Sequence, residues 1–463
     1  MENEKTFEET IAEIFSLLDA KKYIRAREEV LKLNEADVAE LIDETVNEVG
    51  IEMAVILFRM LPKDDAAEVF SRLSSDDQLA IIDRITDKEL SSIIDEMDFD
   101  DMIDVLEELP ANIVDKILEK TTKEERKQIN TFLSYPEFSA GTLMTPDYIT
   151  LKKEWTVAQA LEHIKKEGMD SETVYTCYVK EFGRKLKGIV SLRSLVTNES
   201  DTPIVDIMVE DPVSVNVYDD QEVVSDAFTK YGFLAIPVVD NEKRLVGIIT
   251  FDDILEVIED EFTEDFERMG GVLGSDDKEY LDTGVLKQYR NRFPWLIILM
   301  FSAMLTGLVI THFENMEGIA SLLTSLTIYL PLIMGTGGNS GSQASTVIIR
   351  GIALGEISSK DALKVLWKEF RISLLLGISL SVINFTKIIL FDQKGWVMAV
   401  TVCVSQVLVI ILAKCLGGML PLLAKKIGID PALMAGPFIA SLTDTFSCMI
   451  YFTLAVWMFN TFI

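Results

Sequence analysis

Between about residues 5 and 130 the apolar positions recur at helical spacing in short amphipathic units. "DAAEVFSRL", "DQLAIIDRI", "KELSSIIDEM" and "DDMIDVLEEL" follow one another at intervals of about ten to fifteen residues. Each unit is too short to be stable alone. Stacked as a helical superhelix, they bury a continuous core and leave acidic residues on one face. After "SYPEFSAGTLMTPDYITL" the period changes to that of strands and helices, and an internal repeat appears. "MTPDYITL", "VAQALEHIKK" and "LKGIVSLRSLV" are echoed by "MVEDPVSVNV", "VVSDAFTKYG" and "LVGIITFDDIL", with Gly188 and Gly247 spaced 59 residues apart. Each copy predicts strand, helix, paired short strands and helix.

Beyond residue 293 the pattern becomes apolar over lengths that suit a bilayer, with five candidate spans at about 294–312, 319–349, 372–391, 396–424 and 434–460. Lys287, Arg290 and Arg292 precede the first span. Arg350, Lys360, Lys364, Lys368 and Arg371 fill the loop after the second, and Lys425 and Lys426 follow the fourth. The loop after the first span, "HFENMEG", has no basic residue, and the loop after the third has Lys394 near its centre. This alternation predicts a multi-pass protein of the cell's inner (plasma) membrane, with the N-terminal domains cytosolic and the C-terminus outside.

Charge divides the chain at the same place. Residues 1–293 carry 33 basic and 67 acidic side chains, whereas residues 294–463 carry 10 and 8. That sign argues against nucleic acid and for cations as partners. Four scattered cysteines and two histidines leave no zinc cluster or disulfide framework. The N-terminus "MENEKTFEETIAEIF" has no apolar core of a signal peptide. No Walker loop, GxSxG or HExxH occurs, so an enzyme is not expected. From Asp252 to Arg268, "DDILEVIEDEFTEDFER" sets nine carboxylates against one base. Such a helix is either a solvated face or one made comfortable by divalent cations.

Two stretches of the apolar half carry chemistry. "YLPLIMGTGGNSGSQASTVIIRG" places Pro331, Gly335, Gly337, Gly338 and Gly341 beside Asn339, Ser340, Ser342 and Gln343. It either packs helices closely through small residues or breaks its helix to line a wet path. "GPFIASLTDTFSCMIYFTLAVWMF" holds Asp444 about ten residues into the fifth span, on the order of 15 Å from its cytosolic end. A carboxylate there costs about 2.5 to 3.5 kcal/mol even on mild insertion scales. Asp444 is either a protonated acid, a partner of Lys414 at similar depth in the fourth span, or a carboxylate facing water and holding a cation. Pro431, Gly436, Pro437 and the hydroxyls of Ser441, Thr443 and Thr445 favour the third by offering hard oxygen ligands, which suit magnesium, calcium or manganese. A two-fold dimer would bring two copies of Asp444 to one axis.

The tandem repeat, over roughly 138–258, resembles a pair of cystathionine-beta-synthase (CBS) modules. With "GIDPAL", "SLTD", the glycine-rich stretch and the acidic helical region added, the whole chain resembles the MgtE magnesium transporters and channels. The resemblance implies a multidomain membrane protein: an all-α helical superhelix (1–135), tandem CBS α/β domains (136–257), a plug or connecting helix (258–293) and a five-helix transmembrane domain (294–463). It implies a homodimer in the lipid bilayer that passes Mg2+ inward along spans two and five. It also implies that Asp444 holds the pore magnesium, with the Ala440 carbonyl nearby and Asp430 at the cytosolic mouth. Cytosolic Mg2+ then closes the pore through Glu68, Asp100 and Asp104, through Asp220, Glu222, Asp253 and Glu256, and through Glu261, Glu264 and Asp265. A membrane-tethered nucleotide or ion sensor without transport is the alternative. ATP is the further cofactor: "TFDD" supplies the nucleotide-binding Thr250 and Asp253, whereas "SLRS" offers Arg193 without a carboxylate. Gly232, Gly436 and Lys414 depart from the family pattern.

Overall fold

The computed structural model describes residues 6–169, 171–181, 183–274, 280–281, 283–316 and 325–462. The chain divides into two compact units, Met1–Glu259 and Asp260–Ile463. In the first, ten short α-helices run from Phe7–Asp19 to Lys123–Phe132 among the described residues. Thr6 with Glu9, Thr86 with Glu89 and Thr122 with Glu125 form capping boxes, which satisfy the orphan N–H groups where each helix starts. Their apolar faces meet in one core through Ile14, Leu41, Phe70, Ile81, Ile103 and Ile129, all fully buried. That core continues without interruption into Val224, Phe228, Ile236 and Ile254 of the second tandem copy.

The first tandem copy builds a sheet in the order β1 (Tyr148–Leu151), β2 (Thr173–Lys180), β3 (Leu186–Ser191), β4 (Val209–Glu210). The second builds β5 (Val215–Asn216), β6 (Ala235–Val239), β7 (Leu245–Thr250). In both copies the first two strands pair in parallel across a helix and the next pair is antiparallel. The repeated glycines have a shared cause. A Cβ on Gly188 would come 2.8 Å from the Val209 carbonyl oxygen, and one on Gly247 would come 2.9 Å from that of Thr145. Gly232 ends the helix Gln221–Tyr231 in the left-handed region at φ 65°, donating its N–H to the Phe228 carbonyl, a position that favours glycine over a side chain. The first copy keeps an apolar cluster of its own around Ile149, Val157, Val179 and Val190.

The acidic stretch is one α-helix, Phe251–Met269. In the second unit, four helical segments are long and apolar enough to cross a membrane: Val285–Glu314, Ser359–Leu390, Trp396–Ile427 and Pro431–Phe462. A further helix, Leu330–Ala353, falls short in hydropathy because glycine, Asn339, Gln343 and serines dilute it. Part of the expected second span, 319–324, lies outside the described residues.

One expectation is corrected here. The glycine-rich segment is not broken; Leu330–Ala353 runs as a continuous α-helix with Pro331 in its first turn, where proline is tolerated. Glycine inside a helix costs roughly 1 kcal/mol per residue. Close approach of neighbouring helices offsets that cost.

Candidate functional site

The glycine-rich helix lies against both Trp396–Ile427 and Gly436–Phe462. A Cβ on Gly337 would meet Val409 Cγ1 at 2.6 Å and Thr443 Cγ2 at 2.9 Å, and one on Gly338 would meet Ala440 Cβ at 3.3 Å. One on Gly341 would meet Ile439 Cγ2 at 2.6 Å and the Ala413 carbonyl oxygen at 3.1 Å. Backbone therefore replaces side chain along the contact that carries Ala440 and Asp444. Before that contact the chain is loosened: a 3-10 turn covers Pro431–Met434, Ala435 is extended, and the helix restarts at Gly436. Ser342 Oγ donates to the Gly436 carbonyl at 3.3 Å.

Asp444 is half-buried. Among the described residues its carboxylate has neither an ion-pair nor a hydrogen-bond partner. Around it, the buried hydroxyl oxygens of Ser441, Thr443 and Ser447 also lack protein partners, while Thr445 Oγ1 lies 2.8 Å from Thr306 Oγ1. This is a set of hard oxygen donors with unspent capacity. Pairing of Asp444 with Lys414 is overturned: Lys414 Nζ lies 3.6 Å from Glu369 Oε2, with both side chains buried. Glu369, on the helix Ala362–Leu390, had no distinguishing neighbour in the sequence.

At the start of that segment Asp430 is engaged on both oxygens. Oδ1 accepts from the Ala432 N–H at 2.7 Å and Oδ2 from Arg268 Nη1 at 2.5 Å. Arg268 also bonds Glu264, and the Arg350 guanidinium sits over the Phe262 ring at 5.3 Å. Desolvation, then the charges of Asp430 and Glu261, hold the Asp265 carboxyl above its usual range. Desolvation also raises Glu264, against the lowering effect of Arg268. Glu261 is half-buried on the same helix.

A separate group of carboxylates gathers inside the first unit. Asp100 is 8 % exposed. Burial, followed by the charges of Asp253, Glu172 and Asp101, pushes its carboxyl up to about 9. Asp104, one turn further along the same helix, is raised by desolvation and then by the charges of Asp101, Glu107, Asp253 and Glu256. Glu172 is pushed to about 7 by burial and then by Asp98 and Asp253. Asp253 is pushed to about 6, with burial outweighing its hydrogen bond from Thr250. Glu68 is raised by desolvation, Asp98 and Asp101. No cation appears among the main influences on Asp100, Asp104 or Glu172. The sequence did not single out Glu172, Asp98 or Asp101, because Glu172 lies far along the chain from the helical units it faces.

Asp220 and Glu222 are placed differently. Asp220 caps the helix Gln221–Tyr231, its Oδ1 accepting the Glu222 N–H at 2.9 Å, and both side chains are exposed. Thr250 Oγ1 lies 2.5 Å from Asp252 Oδ1 and 2.6 Å from Asp253 Oδ2, a closed turn at the end of β7. Arg193 is exposed on the short helix Leu192–Thr197. Among the described residues no three His, Cys, Asp or Glu side chains converge tightly enough to hold a bare ion. Magnesium keeps several of its waters, so a looser ring of carboxylates suits it.

Family models match this chain in the order in which its parts occur. The MgtE intracellular N domain covers residues 33–138, the CBS domain covers 140–201 and 204–260, and the divalent cation transporter family, MgtE, covers 330–454. The magnesium transporter MgtE of Thermus thermophilus is 37% identical over 330 residues, 71% of this chain and 72% of that protein. The magnesium transporter MgtE of Enterococcus faecalis is 34% identical over 73% of each chain. A solved cytosolic domain of the Mg2+ channel MgtE in complex with ATP is 33% identical, with a TM-score of 0.50, over 53% of this chain and 99% of that one. Matched from its helical units to its last apolar helices, the chain belongs to the MgtE family of magnesium transporters.

Proposed function

We propose that the chain is a homodimeric channel or transporter for Mg2+ influx, closed by cytosolic Mg2+. The observation that carries this reading is Asp444: a half-buried carboxylate without a protein partner, on an apolar helix, against a stripe of glycines that brings backbone and hydroxyl oxygens close. A hydrated divalent cation supplies the countercharge this site lacks, and two copies across a dimer axis would share it. The Ala440 carbonyl lies one turn away, and Asp430 stands at the mouth. Replacing Asp444 by Asn tests this in proteoliposomes with an internal magnesium dye. Uptake falls by roughly two orders of magnitude, about 2.7 kcal/mol, while the protein still assembles. Unchanged uptake would leave the alternative of a membrane-bound sensor.

Closure belongs to the carboxylates of the cytosolic half. Asp100, Asp104, Asp253, Glu256, Glu68 and Glu172 crowd together, and burial with their mutual charge raises the Asp100 and Glu172 carboxyls; bound Mg2+ favours the charged carboxylates and removes the repulsion. Asp220, Glu222, Glu261, Glu264 and Asp265 add weaker sites. Moving a gate from one per cent to ninety-nine requires about 5.5 kcal/mol of differential binding, so about six sites need only ~1 kcal/mol each. Cation binding at the mouth requires Arg268 to release Asp430. The domain limits we propose are 135/136, 257/258 and 293/294, with the N-terminal domains cytosolic and the C-terminus outside. The turn at Thr250 and Asp253 favours adenine-nucleotide binding in the tandem module, with Arg193 offering a cation toward phosphate.

A further inference from the structure

The helices Ala362–Leu390 and Trp396–Ile427 are stitched by polar contacts along their length. Asn384 Nδ2 donates to Gln406 Oε1 at 2.6 Å, and Ser381 Oγ donates to the Cys403 carbonyl at 3.0 Å. Farther along lies the pair Lys414–Glu369, with side chains only 6% and 8% exposed and a separation of 3.6 Å. A Cβ on Gly418 would meet Glu369 Cγ at 3.3 Å, so glycine makes room for the glutamate. The residue before the lysine, Ala413, and the one a turn later, Gly417, rest on Gly341 of the glycine-rich helix. Gly337 and Gly338, one turn away and roughly 6 Å along that helix, contact Thr443 and Ala440 beside Asp444. The ammonium is therefore built into the helix that backs the ion path, about one turn from the level of its carboxylate.

We propose that Glu369 is a positioning residue for permeation: it neutralises Lys414 and holds its ammonium toward the Ala362–Leu390 helix, so that cations pass Asp444 without meeting a fixed positive charge. This inference rests on the transport reading. A buried lysine without its partner is an uncompensated charge in low dielectric, where Coulomb interactions act over the width of a helix. It would repel a divalent ion or turn toward Asp444 and occupy its oxygens.

The charges make the two ends of the pair unequal, whereas a role in folding alone makes them alike. In full-length protein reconstituted in proteoliposomes, Glu369→Gln lowers Mg2+ uptake by about tenfold or more. Lys414→Met leaves uptake at or above the starting rate, and combining the two restores it to within about twofold. Size-exclusion profile and melting temperature in detergent report assembly for each variant. If Glu369→Gln does not assemble, Lys414→Met and the double variant decide: loss of uptake in either, once assembled, overturns the proposal. Equal losses in both single variants, or unchanged uptake in assembled Glu369→Gln, overturn it too. Asp444→Asn run in parallel separates this failure from that of the transport reading, because uptake that survives Asp444→Asn removes the ion path itself.

Discussion

Single side chains in this protein serve more than one master, and Asp253 shows it most clearly. Its Oδ2 lies 2.6 Å from Thr250 Oγ1 in a turn suited to a ribose, while its charge is one of the main influences on Asp100, Glu172 and Asp104. One carboxylate would thus link the proposed nucleotide site to the proposed metal-sensing cluster. Replacing Thr250 by Val weakens ATP binding by roughly tenfold, about 1.4 kcal/mol, and leaves the magnesium concentration for closure unchanged. Asp253→Asn shifts both. Isothermal titration with ATP, beside uptake measured against internal magnesium, separates the two effects. Equal responses from the two variants would show that the turn and the cluster act as one site.

The elements were legible to different depths. The short helices between about residues 5 and 130, two copies of a strand–helix–strand unit and the long acidic helix followed from periodicity. The glycine-rich helix was harder, because local propensity argues for a break and only its neighbours argue against one. Val409, Ile439 and Ala440 press on it at distances that no side chain at Gly337, Gly338 or Gly341 would allow without movement, and those contacts are invisible to a residue window. Gly341→Val therefore drives the Gly436–Phe462 and Trp396–Ile427 helices apart at a cost of about 1 to 3 kcal/mol. A lower melting temperature of the detergent-solubilised protein, with uptake reduced in parallel, is the expected result. Glu369 was missed for the same reason: a lone glutamate in a basic loop region reads as surface until Lys414 is placed beside it.

For the whole molecule, acid content that looked like simple solvation is partly interior. Asp100, Glu172 and Asp253 carry carboxyl groups at about 9, 7 and 6 in the folded chain, against about 4 when unfolded. Folded states with raised acids bind more protons than unfolded ones, so their stabilising contribution is full below about pH 4 and is lost as pH rises toward 9. In chelator the full-length protein should melt at a lower temperature at pH 8 than at pH 6, and saturating Mg2+ should flatten that slope. A melting temperature independent of pH in chelator would show that these carboxylates are not crowded. Composition pointed to cations as partners; only the fold revealed which acids face one another across distant segments.

The uneven sharing of apolar cores has its own consequence. Helical units and the second tandem copy are fused through Phe70, Ile103, Phe228 and Ile254, whereas the first copy has a smaller cluster around Val157 and Val179 and joins the second through the small cluster of Tyr178, Leu245 and Ile248. Under the gating proposed above, repulsion among the carboxylates would meet a greasy weld on one side and a lighter seam on the other. Deuterium labelling should find the first copy yielding earlier than the second, which makes it the hinge leaf rather than the anchor.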